Sequence, residues 1–260
     1  MLVMSENLNV RNSRYMESVG SKDWNAIKIM ARALAEKGAN VIGVQVSTDG
    51  IGDEDILPFV AEAAQQGAGL PLCLDSRNTV ALKKAVRICS QNPTINYLSK
   101  DEKNAIELLS LVRDTDASLI IRALNRTIPL PLESKLAILE DLMEMANAAG
   151  IPNERLFADP SLVHISSGLG QEHLLSAHES IVVLKDFVDP PVNTIIWLSN
   201  ITTGLPKSLK SVVASAYLNY LAGAGLTAAL VNVQDETIMR TIYLIKSFRN
   251  EVIFTPADIK

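Results

Sequence analysis

The chain has 260 residues, enough for one large domain with a substantial core, and its 48% apolar and 20% charged residues are those of a globular enzyme. Twenty-four basic residues against twenty-nine acidic ones leave a net charge of −5 with no cluster of Lys and Arg, which argues against a nucleic-acid or anionic-membrane surface. The two cysteines, Cys73 in an apolar run and Cys89 near the end of a helical pattern, read as reduced core thiols of a cytoplasmic protein rather than a disulfide or metal pair.

Residues Met1 to Met4 are too short and lack the charged flank of a signal peptide. Eight short apolar runs, near residues 2–4, 41–46, 71–74, 94–96, 118–122, 156–159, 194–198 and 228–233, read as strands, and a helix-like segment follows each. The stripe Ile27, Met30 and Leu34 stops at Gly38, just before the second run. Ser99-Lys100-Asp101-Glu102 reads as a capping box opening a helix with the stripe Ile106, Leu109 and Val112. Leu132, Leu136, Leu139, Leu142 and Ala146 mark a longer helix ending at Gly150, with Pro152 beyond. From Val212 to Val233 no charge occurs, a stretch long enough to span a bilayer. Asn219, Gly223, Gly225 and Asn232 break it, so it reads as a buried helix turning into a buried strand. Eight βα units of roughly 32 residues each predict an α/β fold, a single-domain (β/α)8 TIM barrel over residues 1–260. A doubly wound sheet would show a Gly-rich phosphate loop after the first strand, and the sequence has none there.

Four of the runs end on a small polar or acidic residue: Asp75, Asn96, Asp159 and, two residues further on, Asn200. In a barrel the strand carboxyl ends converge, so these residues would line one mouth. Carboxylates accept from an amino group and a ring N–H, and carboxamides donate and accept. That set suits the edge of a 2-amino-4-oxo heterocycle and suits a phosphate poorly. Paired carboxylates also serve glycoside hydrolysis, but 5% aromatic residues leave few sugar platforms. No closely spaced His/carboxylate set offers a metal site, and His164, His173 and His178 read as solvated or structural. Each residue has a structural alternative as well. Asp75 with Ser76 and Asn78 reads as a helix cap, Asp159 before Pro160 as a turn starter, and Asn96 as a strand-end backbone partner. The recurrence at successive strand ends favours a ligand site.

The strings Leu72-Cys73-Leu74-Asp75-Ser76, Thr94-Ile95-Asn96, Ala158-Asp159-Pro160 and Leu198-Ser199-Asn200, leading into Gly204-Leu205-Pro206, resemble one family in order and spacing. It is the family of methyltetrahydrofolate:corrinoid protein methyltransferases, within the dihydropteroate synthase-like pterin-binding barrels. Ser5-Glu6-Asn7-Leu8-Asn9 resembles its Gly-Glu-Arg-Ile-Asn, and Leu124-Asn125-Arg126-Thr127 its Met-Asn-Lys-Thr segment. The resemblance implies that Asp75, Asn96 and Asp159 hold the pterin ring and that Asn200 hydrogen-bonds near N5. Asp75 would support that network, and Glu6, Asn9, Gln45, Asn125 and Ser199 would complete the pocket. It also implies methyltetrahydrofolate or tetrahydrofolate as substrate, cobalt carried by a corrinoid (iron–sulfur) partner protein, no metal held by this chain, and a homodimer. The sequence departs from the family at the second strand, where Gly43-Val44-Gln45-Val46-Ser47 stands for Asp-x-Asn-x-Gly, which makes Gly43 the position to restore to Asp. Ser208, flanked by Lys207 and Lys210, replaces an arginine, and Asn232 stands where relatives often carry Asp. A non-catalytic pterin- or corrinoid-protein-binding subunit is the alternative reading. Dihydropteroate synthase ranks lower, because neither its Arg-Pro-Gly-type loop nor its Ser-Arg-Lys-like strand end is found.

Overall fold

A computed structural model describes residues 1–259. Eight parallel strands, β1 (Leu2–Leu8), β2 (Val41–Gln45), β3 (Leu72–Asp75), β4 (Thr94–Leu98), β5 (Ser118–Arg122), β6 (Leu156–Asp159), β7 (Asn193–Trp197) and β8 (Ala228–Val231), close into a barrel in sequence order. Around them run α1 (Ser13–Gly20), α2 (Trp24–Glu36), α3 (Asp53–Ala68), α4 (Thr79–Val86), α5 (Ala105–Asp114), α6 (Leu132–Ala148), α7 (Gly170–Phe187), α8 (Lys207–Ala224) and α9 (Glu236–Phe248). The expected TIM barrel is the observed fold.

Alternation along each strand sorts the apolar residues into two layers. Met4, Val41, Cys73, Ile120, Phe157, Ile195, Ala228 and Leu230 fill the barrel interior. Their strand neighbours, among them Val3, Ile42, Leu72, Leu74, Leu119, Ile121, Leu156, Ile196 and Ala229, pack outward against the helices. Two residues beyond an inward apolar residue, the next inward position lies at the carboxyl rim. Glu6 follows Met4, Asp75 follows Cys73, Arg122 follows Ile120, Asp159 follows Phe157 and Trp197 follows Ile195. The same period therefore builds both the core and a polar rim above it.

The helix ends follow local chemistry. Asn12, Asp23, Asn78 and Asp235 cap α1, α2, α4 and α9 with side-chain oxygens that accept from first-turn N–H groups. α2 ends just before Gly38, and α6 before Gly150, both glycines in the left-handed region. Gly225, at φ +113°, turns α8 toward β8, so the uncharged stretch is a helix and a strand as expected; β8 is buried, but α8 is buried on one face only and exposes Val212 and Tyr220 on the other. No helix of the described residues is long and apolar enough to cross a membrane. Cys73 is buried in β3 and Cys89 is partly buried, both as free thiols.

Three local expectations need correction. The capping box does not open α5. β4 runs on to Leu98, Ser99 Oγ donates to Asp101 Oδ1 at 2.8 Å within the loop, and the helix starts at Ala105 after Asn104. The helix phase shifts accordingly: Ile106 is 82% exposed, and Leu108, Leu109, Leu111 and Val112 form the buried face. Asn200 is not on the seventh strand, which ends at Trp197, but in the 3-10 turn Leu198–Thr202 that follows. Gly43 is not a place where a carboxylate can simply be restored. A Cβ built there would lie 2.3 Å from the Ser5 carbonyl oxygen of β1, whose register against β2 shifts between Ser5 and Leu8. Gly43→Ala should therefore destabilise the fold by about 1–3 kcal/mol of overpacking. Calorimetry should show a midpoint lowered by several degrees, and an unchanged midpoint would refute the close β1–β2 approach.

Candidate active site

The rim residues surround a cavity of about 470 Å³ at the strand carboxyl ends. Glu6, Asn9, Gln45, Asp75, Ser199 and Asn200 line it, together with Arg11, Arg77, Tyr97, Arg122 and Trp197. Asn96, which is buried, and Gln45 and Asp75 also line a small void beneath its floor.

Two carboxyl groups dominate the electrostatics. Glu6 Oε2 accepts from Ser199 Oγ at 2.8 Å and from Trp197 Nε1, which ties β1 to the end of β7. Burial outweighs those donors and pushes the Glu6 carboxyl up to about 7. Asp75 Oδ2 accepts from Gln45 Nε2 at 2.9 Å. Burial likewise raises Asp75 to about 7, against the pull of an Asn96 hydrogen bond and of Arg77 and Arg122. Asp75 is not the cap of α4. Asn78 Oδ1 fills that role by accepting from Val80 and Ala81 N–H. The Asp75 carboxyl is thereby left to the cavity.

The other sequence-predicted residues fall in different places. Asn9 reaches the cavity wall, but its amide also shapes the turn after β1, donating to the Glu6 carbonyl and accepting from Arg11 N–H. Asn125 sits exposed on the loop after β5, bridged to Thr127, apart from the residues lining the cavity. Asp159 is 6% exposed and both its oxygens have protein donors. Oδ1 accepts from Ser161 N–H at 2.8 Å, the turn contact its place before Pro160 suggested, and Oδ2 pairs with Arg122 Nε at 3.2 Å. Beneath that turn the fully buried Lys135 of α6 donates to the Pro160 and Ser161 carbonyls. Arg122 thus stands at the cavity wall in front of Asp159.

Sequence reasoning passed over Arg11, Arg77, Tyr97, Arg122 and Trp197. Arg77 pairs with Glu102 at 2.8 Å and donates to the Tyr97 hydroxyl. Its Cζ lies 4.3 Å from the Tyr97 ring centroid, with that of Arg122 at 4.9 Å. Arg122 and Trp197 carried a usable signal, since each lies two residues past an inward apolar residue. A second cavity, about 510 Å³, shares Glu6, Arg11 and Ser199 and extends past Thr202, Lys210 and Asn232. The histidines lie elsewhere: His164 Nδ1 meets Ser166 Oγ at 2.8 Å, His178 stacks on Tyr220, and His173 is buried in α7. Among the described residues, no group of three or more His, Cys, Asp or Glu side chains is placed to hold a metal ion.

The raised Asp75 carboxyl gives a signed prediction. Between its unfolded value near 4 and its folded value near 7, the folded state keeps a proton that the unfolded state has lost, so stability falls as pH rises through that window. Asp75→Asn removes the titration. Its stability relative to wild type should rise by on the order of 1–2 kcal/mol from pH 5.5 to pH 8. Urea unfolding of both proteins at the two pH values checks this, and a constant difference would mean that Asp75 titrates as an ordinary carboxylate.

A methylcorrinoid:tetrahydrofolate methyltransferase of Eubacterium limosum is 24% identical over 247 residues, 94% of this chain and 89% of that protein. Methionine synthase of Mycobacterium tuberculosis is 24% identical over 250 residues, 89% of this chain but only 20% of the longer protein. Among solved structures, a Xanthomonas albilineans dihydropteroate synthase with 4-aminobenzoic acid superposes with a TM-score of 0.70 at 19% identity, covering 98% of this chain and 94% of that one. The last likeness concerns the fold. The pterin-binding enzyme family matches residues 5–232, and with that match spanning most of the barrel the chain belongs to this family.

Proposed function

We propose that this protein is a methyltransferase that moves a methyl group between N5 of tetrahydrofolate and the cobalt of a corrinoid carried by a partner protein. The observation that carries the reading is the pair of buried carboxyl groups, Glu6 and Asp75, both raised to about 7 and flanked by the amides of Gln45 and Asn96. Carboxylates of this kind accept from the 2-amino group and ring N–H of a pterin, and the amides read the remaining edge. Likeness to a methylcorrinoid:tetrahydrofolate methyltransferase over 94% of the chain supports the reaction class.

The chemistry asks little covalent work of the protein. In the demethylation direction cobalt(I) attacks the methyl carbon, the N5–CH3 bond breaks, and its electron pair stays on N5. An amine leaves poorly unless N5 gains positive character, so a donor beside it lowers the barrier. Asn200, on the turn above β7, supplies a carboxamide that donates to unprotonated N5 or turns to accept from its protonated form. Ser199, the next residue toward the strand, is held by Glu6, which fixes the base of that turn. In the reverse direction the same groups position N5 as the nucleophile. The corrinoid supplies the redox-active metal, and this chain supplies position and polarity.

The crowding at Gly43, which keeps a second-strand carboxylate out of the barrel, favours one further reading: a subunit that binds pterin without turning it over. One assay separates the two. Methyltetrahydrofolate and cobalt(I) corrinoid should yield methylcobalt(III) absorbance with wild-type protein, and Asn200→Ala should lower the rate by 10²-fold or more, the range of one transition-state donor, while retaining folate binding. Folate binding with no wild-type transfer would establish the binding subunit. Full activity in Asn200→Ala would remove that residue from the mechanism.

A further inference from the structure

Resting on the pterin reading, we propose that Arg122, with Arg77 across the Tyr97 ring, makes the β5 side of the cavity a recognition wall for an anionic substituent of the ligand. In this chain a guanidinium, not the Asp159 carboxylate, faces the cavity at that position. The Asp159 oxygens are consumed by Ser161 N–H and Arg122 Nε, and Arg122 Nε also reaches Ser161 Oγ at 3.1 Å. Among the described residues neither terminal nitrogen of Arg122 has a hydrogen-bond partner, although only 14% of its side chain is exposed. A half-sequestered guanidinium with its fork open to a cavity is a donor pair for a carboxylate or another anionic oxygen.

The surroundings strengthen the arrangement. The Tyr97 ring carries Arg122 at 4.9 Å and Arg77 at 4.3 Å, so the two cations share one aromatic platform and hold their planes in place. Arg77 is partly neutralised by Glu102, whereas Arg122 engages Asp159 and Ser161 through Nε alone, and that carboxylate is itself buried. Asp75 pairs in register with Asn96, and Asn96 with Ile120, two residues before Arg122. Asp75 and Arg122 both face the cavity, and the guanidinium lies near enough to pull on the Asp75 carboxyl. A bicyclic ring seated by its amino edge at Asp75 therefore brings a ring substituent within reach of Arg122. Besides tetrahydrofolate, the site would then take a pterin bearing an acidic group close to the ring.

Fluorescence titration with pterin-6-carboxylate and with the neutral 6-hydroxymethylpterin, at pH 8 and low salt, tests this. Wild-type protein should bind the carboxylate at least tenfold more tightly, and the preference should shrink as salt is added. Arg122→Leu should bring the two within about twofold, and Arg122→Lys should retain part of the preference. Arg77→Gln leaves the Asp159 ion pair intact, so it should fold even if the Arg122 variants do not, and it should reduce the preference about threefold. Equal binding of the two pterins by wild type, or a preference that survives both Arg122→Leu and Arg77→Gln, overturns the proposal while the pterin reading stands. Binding of neither pterin overturns both.

Discussion

Closing a parallel sheet on itself forces every second side chain into a space that only apolar groups fill without penalty, and this constraint shapes the rest of the molecule. In this barrel the inward residues are apolar through the middle layer, from Met4 and Cys73 to Ile195 and Leu230. One inward step further toward the carboxyl ends they become Glu6, Gln45, Asp75, Asn96, Arg122 and Asp159. These groups are too far inside to be hydrated freely and too polar to be left unpaired. They pair among themselves where they can: Glu6 with Trp197 and Ser199, Asp75 with Gln45, Asp159 with Arg122. What remains unpaired is what a ligand can satisfy.

The three carboxyl groups meet that constraint in different ways. Asp159 is nearly fully enclosed, with a cation and a backbone N–H as partners, and the turn that holds it is anchored by the buried ammonium of Lys135. Glu6 and Asp75 have only neutral donors in direct contact, so burial lifts both toward neutrality. If the cavity takes a pterin as proposed, a carboxyl proton lost near pH 7 at two cavity-lining positions would couple ligand recognition to proton release. Asn200 differs again. Because β7 stops at Trp197, its carboxamide stands on a short turn above the rim rather than within the sheet. On the proposed mechanism it is from this turn that the carboxamide would switch between donating to N5 and accepting from it.

Much of this was legible in the residues, for physical reasons. The eight apolar runs, the glycine stops at Gly38 and Gly150, and the Gly225 turn into β8 express backbone preferences that tertiary contacts reinforce. Asp75 is legible because a polar residue ending a buried run has few structural excuses; Asn96 stands out on the same pattern although β4 runs past it to Leu98. The capping box failed because the extension of β4 to Leu98 took Ser99 into a loop, a tertiary choice that local pattern cannot foresee. At Gly43 the sequence shows only a missing carboxylate; that the Ser5 carbonyl on the neighbouring strand leaves no room for a side chain there is a tertiary fact. Arg122 escapes a search for acceptors at strand ends, although the period that places Asp159 two residues after Phe157 also places Arg122 two residues after Ile120. Its partner is determined by strand pairing, Arg122 opposite Asp159, and pairing is not written in either segment by itself.

The central claim is that the barrel mouth binds a pterin through carboxyl groups that burial holds near neutrality. Ring N–H donors need those groups ionised, so binding below pH 7 must expel protons. Isothermal titration of tetrahydrofolate at pH 6, in two buffers of different ionisation enthalpy, measures that directly. The account predicts saturable binding with net proton release that disappears at pH 8.5. Binding without proton exchange at pH 6, or no binding at either pH, would contradict it.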